Sequence, residues 1–290
     1  MNGFLVIDKP GGMTSRDVVN RVQKWFPRKT KIGHTGTLDP LATGVLVICI
    51  GAATRLADYV QRMSKSYTSR FRLGATSTTD DADGEITKSP IANIPTREQI
   101  ENELESFLGT IEQVPPTFSA LKVEGQRAHD LARRGNEVKL EARSVRIDAI
   151  RMQAYEWPYL DLEVECGKGT YIRSVARDLG AKLGCGGLVQ TLRRTQIGPF
   201  RAEQGTNVDT HPNDVKLLPL TAALPEMPGV QISKEEEQRF RQGQAIAGAE
   251  TNQLRDNPVE EWAVLSATGE LIGIGELRQG LIRPTLVISS

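Results

Sequence analysis

Residues 33–44 combine a carboxylate, a histidine and three glycines in one short loop, Gly33-His-Thr-Gly-Thr-Leu-Asp-Pro-Leu-Ala-Thr-Gly44. Asp39 precedes a proline, which disfavours a helical conformation there, and the glycines let the backbone approach a bulky ligand closely. A carboxylate on a rigid loop is a candidate nucleophile or base. The alternative is an Asx turn or a cap, the commoner use of an isolated Asp-Pro pair. No Gly-Lys-Ser/Thr sequence ends the segment, so it is not a phosphate-binding loop.

Arg173 is a candidate partner for that carboxylate. It stands in the first turn of a helix that we predict directly after a strand, in the segment Gly169-Thr-Tyr-Ile-Arg173. Beside Asp39, its guanidinium would keep the carboxylate ionised and hold its rotamer. The alternative is an ordinary surface arginine.

Residues 121–135 are basic and fit either a phosphate clamp on a protruding segment or an ordinary solvated helix. Their basic side chains are Lys122, Arg127, His129, Arg133 and Arg134. Residues 79–85 have the acidic composition of a calcium loop. However, threonine and proline occupy its first and last ligand positions, and we interpret the segment as an acidic turn.

The 290 residues carry 36 basic and 36 acidic side chains, so the formal net charge is zero. The charge alternates along the chain: residues 1–72 carry +8, residues 73–120 carry −7, residues 121–202 carry +5 and residues 203–290 carry −6. Neutrality therefore excludes only indiscriminate polyanion binding. Arginine outnumbers lysine 24 to 12, which suits RNA contact because guanidinium groups grip phosphate and stack on bases.

Several classes of protein are disfavoured by features that the sequence lacks. No apolar run reaches the roughly 18 residues of a membrane span, and Met1 to Lys9 lack the features of a signal peptide. Three scattered cysteines and three scattered histidines share no ligand spacing, so we expect no metal site. Unpaired thiols suit a reducing compartment, and we expect a cytoplasmic protein.

Hydrophobic periodicity predicts an α+β fold, because strands and helices are intermixed without a regular βαβ rhythm. We predict strands over residues 4–7, 45–50, 67–73, 145–155 and 159–166. We predict helices from 14–15 to 26, over 52–63, from a capping box at 96–99 to 108, and over 128–134 and 171–183. A mixed or largely antiparallel sheet follows from this order. Residues 203–228 are polar and contain prolines, which predicts a linker at the end of a first domain of residues 1–228. Three later apolar runs predict a small β-rich domain of residues 229–290.

Six segments in order resemble the bacterial TruB pseudouridine synthases over roughly residues 3–202, and residues 229–290 resemble that family's PUA-like RNA-binding domain more loosely. The six segments are Lys9-Pro-Gly-Gly-Met-Thr-Ser15, Gly33 to Gly44, Lys65-Ser-Tyr67, Pro115-Pro-Thr-Phe-Ser-Ala-Leu-Lys122, Gly169 to Arg173 and Leu192-Arg-Arg194. His129 departs from the family, which usually has a tyrosine there. The resemblance implies a pseudouridine synthase fold and isomerisation of the T-loop uridine of tRNA, at position 55, to pseudouridine. That reaction moves the ribose C1′ bond from uracil N1 to C5 without a redox change, so no cofactor or metal is expected.

By this resemblance Asp39 is the catalytic carboxylate, and two roles stay open for it. It attacks C1′ to form a sugar ester, as in retaining glycosidases, or it removes the C2′ proton to give a glycal. Arg173 is its partner. Tyr67 stacks on the target base and is the candidate to assist proton removal at C5. Leu192 forms an apolar wall of the pocket, and His34 occupies the space that the flipped uridine leaves.

The resemblance also implies that Lys9 and a clamp over about residues 115–140, including Lys122, Arg127 and Arg133, hold backbone phosphates. We expect tRNA to bind through its T-loop and T-stem to a monomeric enzyme that requires no protein partner. One alternative is a non-catalytic tRNA-binding or tRNA-folding protein on the same scaffold. Another is a guide-dependent synthase within an RNA–protein particle.

Overall fold

The computed structural model describes residues 1–119, 121–123, 126–127, 140–210, 214–247 and 260–288. The strands in these residues are β1 (Gly3–Lys9), β2 (Ile32–His34), β3 (Thr43–Ile50), β4 (Lys65–Leu73), β5 (Ala75–Ser77), β6 (Ile86–Lys88), β7 (Gly109–Gln113), β8 (Lys122–Val123), β9 (Gln126–Arg127), β10 (Arg143–Glu156), β11 (Tyr159–Cys166), β12 (Gly187–Ile197), β13 (Phe200–Arg201), β14 (Gly229–Gln231), β15 (Ile246–Ala247), β16 (Glu260–Leu265), β17 (Leu271–Arg278) and β18 (Leu281–Val287). The α-helices are α1 (Ser15–Gln23), α2 (Ala57–Arg62), α3 (Arg97–Glu105), α4 (Ile172–Lys182) and α5 (Lys234–Arg241).

Two mixed sheets organise the molecule. The larger has nine strands in the order β1-β3-β12-β4-β11-β10-β7, with β2 added to β3 and β13 added to β12. Its β3–β12 pair is parallel and the neighbouring pairs are antiparallel. The smaller sheet has the order β14-β16-β17-β18-β15, with a parallel β14–β16 pair. The predicted α+β class with a mixed, largely antiparallel sheet is confirmed.

Strand β4 has the alternation that the sequence predicts. Tyr67, Ser69, Phe71 and Leu73 all point to the buried side. Its neighbour β12 was not predicted, although it lies at the centre of the larger sheet. Polar and charged residues fill much of β12, including a buried arginine on its inward face. The hydrophobic pattern on which strand prediction depends is therefore weak there.

Helices α1 and α4 bring two loops to the edge of this sheet. Thr14 and Asp17 form a reciprocal capping box at the start of α1, which fixes where the chain turns into the helix. Helix α4 buries Val175 and Leu179 and ends before Gly184, which has φ +67°, as expected of a helix stop. The predicted helix over 52–63 is a 3-10 turn followed by α2. The predicted helix over 128–134 lies outside the described residues.

Apolar side chains cover both faces of the larger sheet. On one face, α1, α3 and α4 pack over a core that includes Phe71 and Leu162. On the other, Phe4 and Phe200 belong to a cluster shared with Ile274 of the smaller sheet. Residues after 203 also run along the edge strand β1, through bridges that pair residue 4 with 218 and residue 7 with 206. Within the described ranges, no helix is long and apolar enough to cross a membrane.

Candidate active site

The Asp39 loop is held by contacts on both sides. Ser15, at the start of α1, accepts a hydrogen bond from the backbone N–H of Leu38 at 2.8 Å and donates one to the carbonyl of the same residue at 3.1 Å. The carbonyl of Pro40 accepts from the backbone N–H of Gly12 at 2.9 Å. Because both neighbours of Asp39 are fixed, the carboxylate has a defined position without a regular element of its own.

Arg173 grips Asp39 with two of its nitrogens, as predicted for a paired site. Its Nε lies 2.9 Å from one carboxylate oxygen and its Nη2 donates to the other at 3.0 Å. The carbonyls of Thr79 and Phe118 accept further bonds at 2.9 and 3.0 Å, and Nη1 lies 3.4 Å from the carboxylate of Asp81. The Arg173 side chain is 5% exposed and that of Asp39 is 34% exposed. The hydrogen bond from Nη2 and the close contact of Nε fix the rotamer of Asp39 while leaving part of its carboxylate accessible.

Asp81 is a site residue that sequence reasoning missed. Its side chain is 5% exposed and accepts hydrogen bonds from the Thr79 hydroxyl at 2.5 Å and the Asp83 backbone N–H at 3.1 Å. The acidic turn over residues 79–85 is therefore part of the site. No charge pattern distinguishes Asp81 from its exposed neighbours, so the sequence alone gave no signal for it.

The electrostatic environment of Asp39 combines opposing effects. Burial raises the pKa of Asp39 above its usual value, and the neighbouring carboxylate of Asp81 adds to that rise. The positive charges of Arg173 and Lys9 act in the opposite direction. The result is a carboxylate that is partly withdrawn from water and close to a fixed cation, an arrangement typical of reactive groups.

Tyr67 and Arg194 form the opposite side of the site. They face each other in register between β4 and β12. Arg194 is 3% exposed, and it donates to the carbonyls of Val45 at 2.8 Å and Gly36 at 3.2 Å. Burial raises the pKa of Tyr67, and the charge of Arg194 and a side-chain hydrogen bond from it oppose that rise. Gly44 is required beside them, because it has φ +96° and a Cβ there would lie 2.1 Å from the Arg194 carbonyl oxygen.

A cavity of about 410 Å³ joins these two sides, within the roughly 300–1,000 Å³ of ligand pockets. Five side chains predicted from the sequence line it together: His34, Asp39, Tyr67, Arg173 and Leu192. Further lining residues include Lys65, Ser119, Lys168, Tyr171 and Arg194. Arg194 shares the inward face of β12 with Leu192, two positions earlier, so a correct strand prediction would have placed it in the site.

Lys9 does not line the cavity, which corrects the expectation that it holds phosphate. It is fully buried, and its Nζ donates to the carbonyls of Pro10, Met13 and Pro40 at 2.9, 2.7 and 3.3 Å. Burial lowers its pKa to about 8. All three ammonium protons are used by backbone carbonyls, so Lys9 ties its own loop to the Asp39 loop.

The predicted clamp is described only in part. Lys122 and Arg127 face each other in register across the β8–β9 hairpin, whereas Arg133 and His129 lie outside the described residues. The roles of these side chains therefore stay predictions. In the described portions of the chain, no group of three or more His, Cys, Asp or Glu side chains is arranged to hold a metal ion.

The fold and the cavity together define an enzyme whose candidate reactive group is a partly exposed carboxylate, Asp39, held by a buried arginine. Family models identify the chain along most of its length. Residues 24–172 match the N-terminal domain of the TruB family pseudouridylate synthases, residues 173–212 match the tRNA pseudouridylate synthase B C-terminal domain, and residues 228–288 match the C-terminal model of pseudouridine synthase II TruB. The chain therefore belongs to the TruB family of pseudouridylate synthases.

Two curated relatives extend across the whole chain. The tRNA pseudouridine synthase B of Ruegeria pomeroyi is 43% identical over 297 residues, which cover 100% of this chain and 96% of that protein. The protein of the same name from Pseudomonas aeruginosa is 41% identical over 302 residues, with 100% and 97% covered. Among solved structures, an H/ACA ribonucleoprotein bound to a substrate RNA containing 2′-deoxyuridine is similar with a TM-score of 0.72. It is 21% identical and covers 99% of this chain and 85% of that one, a likeness that concerns the fold.

Proposed function

We propose that this chain isomerises the T-loop uridine of tRNA, at position 55, to pseudouridine. The observation that carries the proposal is the Asp39–Arg173 ion pair at the wall of a cavity that also contains Tyr67 and Leu192. Relatives named tRNA pseudouridine synthase B, similar over nearly their full length, support tRNA as the substrate. The expectation of a cofactor-free reaction belongs to the same proposal.

The proposed reaction conserves every atom. The C1′–N1 bond breaks and its electron pair goes to the uracil, the ring turns, and C5 forms a new bond to C1′. A proton then leaves C5 and N1 takes one up. Asp39 acts in ionised form by either of two routes, attack on C1′ to give an ester or removal of the C2′ proton to give a glycal. Arg173 favours the ionised carboxylate in both.

The remaining lining residues have proposed roles that suit their positions. Tyr67 stacks on the uracil and assists loss of the C5 proton, and Leu192 closes the apolar side of the cavity. A uridine folded into the T-loop has to be flipped out, at a cost of a few kcal/mol. His34, on the short strand β2 at the cavity edge, is proposed to occupy the vacated space.

Binding of the RNA is proposed to involve the rest of the molecule. Lys122, Arg127 and Arg133 would contact phosphates from the clamp, and residues 229–290 would form an RNA-binding domain separate from the catalytic domain of residues 1–228. We propose that the enzyme acts as a monomer without a protein partner. Such contacts fix the position of the RNA, while the cavity selects the nucleotide.

The test is to incubate the purified chain alone with a tRNA transcript that carries tritium at C5 of uridine. We expect one equivalent of tritium to be released, with pseudouridine mapped to the T-loop. Binding without release would indicate the non-catalytic alternative, and release only after addition of a guide RNA would indicate a guide-dependent enzyme. The Asp39→Asn variant is the matched control, because it keeps the size of the side chain and removes its charge.

A further inference from the structure

The two ends of the cavity differ in how their charges are paired. At one end, the carboxylates of Asp39 and Asp81 both contact the guanidinium of Arg173, and Lys9 adds a second positive charge near Asp39, so the charges at that end are balanced. At the other end stand two buried cations, Arg194 and Lys65. Among the described residues, neither of these two forms an ion pair with a carboxylate within 4.0 Å. The positive charge at this end is therefore not neutralised by a protein side chain in contact with it.

Arg194 directs its donors at carbonyls and lies beside a phenol. It donates to the carbonyls of Gly36 and Val45, on either side of the Asp39 loop, and it pairs in register with Tyr67 across β12 and β4, where its charge acts on the Tyr67 hydroxyl. An unpaired buried cation is costly, since carbonyl dipoles replace its hydration only in part. A neutral donor would anchor the two carbonyls at a lower cost. The charge itself thus requires an explanation beyond anchoring.

Of the two cations, Lys65 is the weaker candidate for a role in the reaction. Its Nζ donates to the carbonyls of Gln61 and Met63 at 2.6 and 2.5 Å, both before the start of β4. Burial, followed by the charge of Arg194, lowers the pKa of Lys65 to about 8. Arg194, in contrast, is the cation that pairs in register with Tyr67 across β12 and β4.

The proposed reaction generates negative charge that could interact with these cations. When the C1′–N1 bond breaks, its electron pair stays with the uracil, and the sugar carbon becomes electron-poor. A carboxylate end suits the sugar and a cationic end suits the base. Fixed charges aimed at charge that develops during reaction are a large source of catalysis in sites shielded from water.

We propose that Arg194 is a positioning residue of the reaction, holding the Tyr67 hydroxyl and supplying the positive charge that stabilises the uracil while it is detached from the sugar. This inference rests on the proposed function and assigns to Arg194 a role that the predicted site lacked. Arg194 acts through Tyr67 and through the electric field of its charge. Its N–H groups donate to protein atoms and not to the substrate.

The first test compares Arg194→Gln and Arg194→Lys with the wild type in single-turnover tritium release at saturating tRNA. We expect the Gln variant to be slower by about 100-fold, the size of effect seen on removing one preorganised donor, with tRNA affinity within about threefold. The Lys variant keeps the positive charge but not the planar guanidinium group. It should react at least about tenfold faster than the Gln variant. We expect the two variants to have the same melting temperature.

The matched control is Arg193→Gln, the next residue on β12. Arg193 points to the other face, where it pairs with Asp8 at 2.8 Å, and its loss should leave the single-turnover rate unchanged. A second variant set, Tyr67→Phe with and without Arg194→Gln, tests the connection between the two residues. We expect the combined loss to be smaller than the product of the single losses, because both changes remove the same proposed interaction between Arg194 and the Tyr67 hydroxyl.

The inference is overturned if Arg194→Gln reacts within about threefold of the wild type, or if Arg194→Lys reacts no faster than Arg194→Gln. It is also overturned if the rate losses of Arg194→Gln and Tyr67→Phe multiply in the double variant. Should Arg194→Gln fail to fold, the double-mutant cycle is made with Arg194→Lys and Tyr67→Phe, and multiplied losses again overturn the inference. Inactivity of the wild type in this assay would instead reject the proposed function, so the two failures are distinguishable.

Discussion

Arg173 and Arg194 are both buried arginines on the wall of one cavity, and they differ in what surrounds them. Arg173 faces two carboxylates and two carbonyls, whereas Arg194 faces two carbonyls and a tyrosine hydroxyl. The first guanidinium neutralises protein charge and fixes Asp39. The second leaves positive charge in the cavity. The comparison shows that burial of an arginine does not define its role; the charge of its immediate partners does.

The largest effect is expected at the carboxylate that Arg173 holds. Asp39→Asn removes the charge needed in both proposed routes while keeping the shape of the side chain. Turnover should fall by at least about a thousandfold, as on removal of other catalytic groups. The measurement is tritium release under single turnover, with tRNA affinity measured in parallel. Activity within about tenfold of the wild type, a change of only about 1.4 kcal/mol in the barrier, would refute the assignment.

The two arginines should also differ in what their loss costs the fold. Arg173→Gln leaves the buried carboxylate of Asp81 and the partly exposed carboxylate of Asp39 without the guanidinium that they contact, and we expect a loss of about 3–5 kcal/mol in the free energy of unfolding. Arg194→Gln leaves carbonyls without donors, which costs about 1–3 kcal/mol for each unsatisfied group. Urea unfolding of both variants measures the difference.

A double variant sharpens this stability comparison. Adding Asp81→Asn to Arg173→Gln removes one of the two uncompensated charges, so part of the lost stability should return. No recovery in the double variant would show that Arg173 stabilises the fold through its carbonyl contacts and not through charge.

The pH dependence of the reaction tests the end of the cavity that contains Asp39 and Asp81. Asp39 acts when ionised, so activity is lost as the pH falls through its raised pKa. Asp81 contributes to that rise, and Asp81→Asn should therefore move the acidic limb of the single-turnover profile to lower pH. Asp161→Asn, which removes an aspartate paired with Arg70 outside this cavity, is the control and should leave the limb in place. If the acidic limb instead moves to higher pH in Asp81→Asn, the main effect of the substitution is to free Arg173 from its contact with Asp81.

The sequence predicted the end of the cavity that contains Asp39 and Arg173 better than the end that contains Arg194. Asp39 and Arg173 stand in short motifs with restricted backbones, and their predicted pairing agrees with the observed geometry. Arg194 was missed as a site residue because β12 lacks an apolar alternation, so its inward face could not be assigned. The family resemblance assigned Lys9 to phosphate, a role that needs an exposed side chain. Its burial depends on three carbonyls brought together by two loops, a long-range property that local patterns do not carry.

The smallest effect is expected where an arginine–aspartate pair lies at the surface. Arg193 donates from Nη1 and Nη2 to the two carboxylate oxygens of Asp8 at 2.8 and 2.9 Å, whereas Arg173 donates to Asp39 through Nη2 alone. The Arg193 and Asp8 side chains are 39% and 35% exposed. Water screens that pair, so Arg193→Gln should cost at most about 1 kcal/mol in urea unfolding. A loss comparable to that of Arg173→Gln would mean that the fork geometry, and not burial, sets the energy of these pairs. If the loss is small, the strength of the Asp39–Arg173 pair follows from the burial of Arg173, because Asp39 and Asp8 are almost equally exposed, at 34% and 35%.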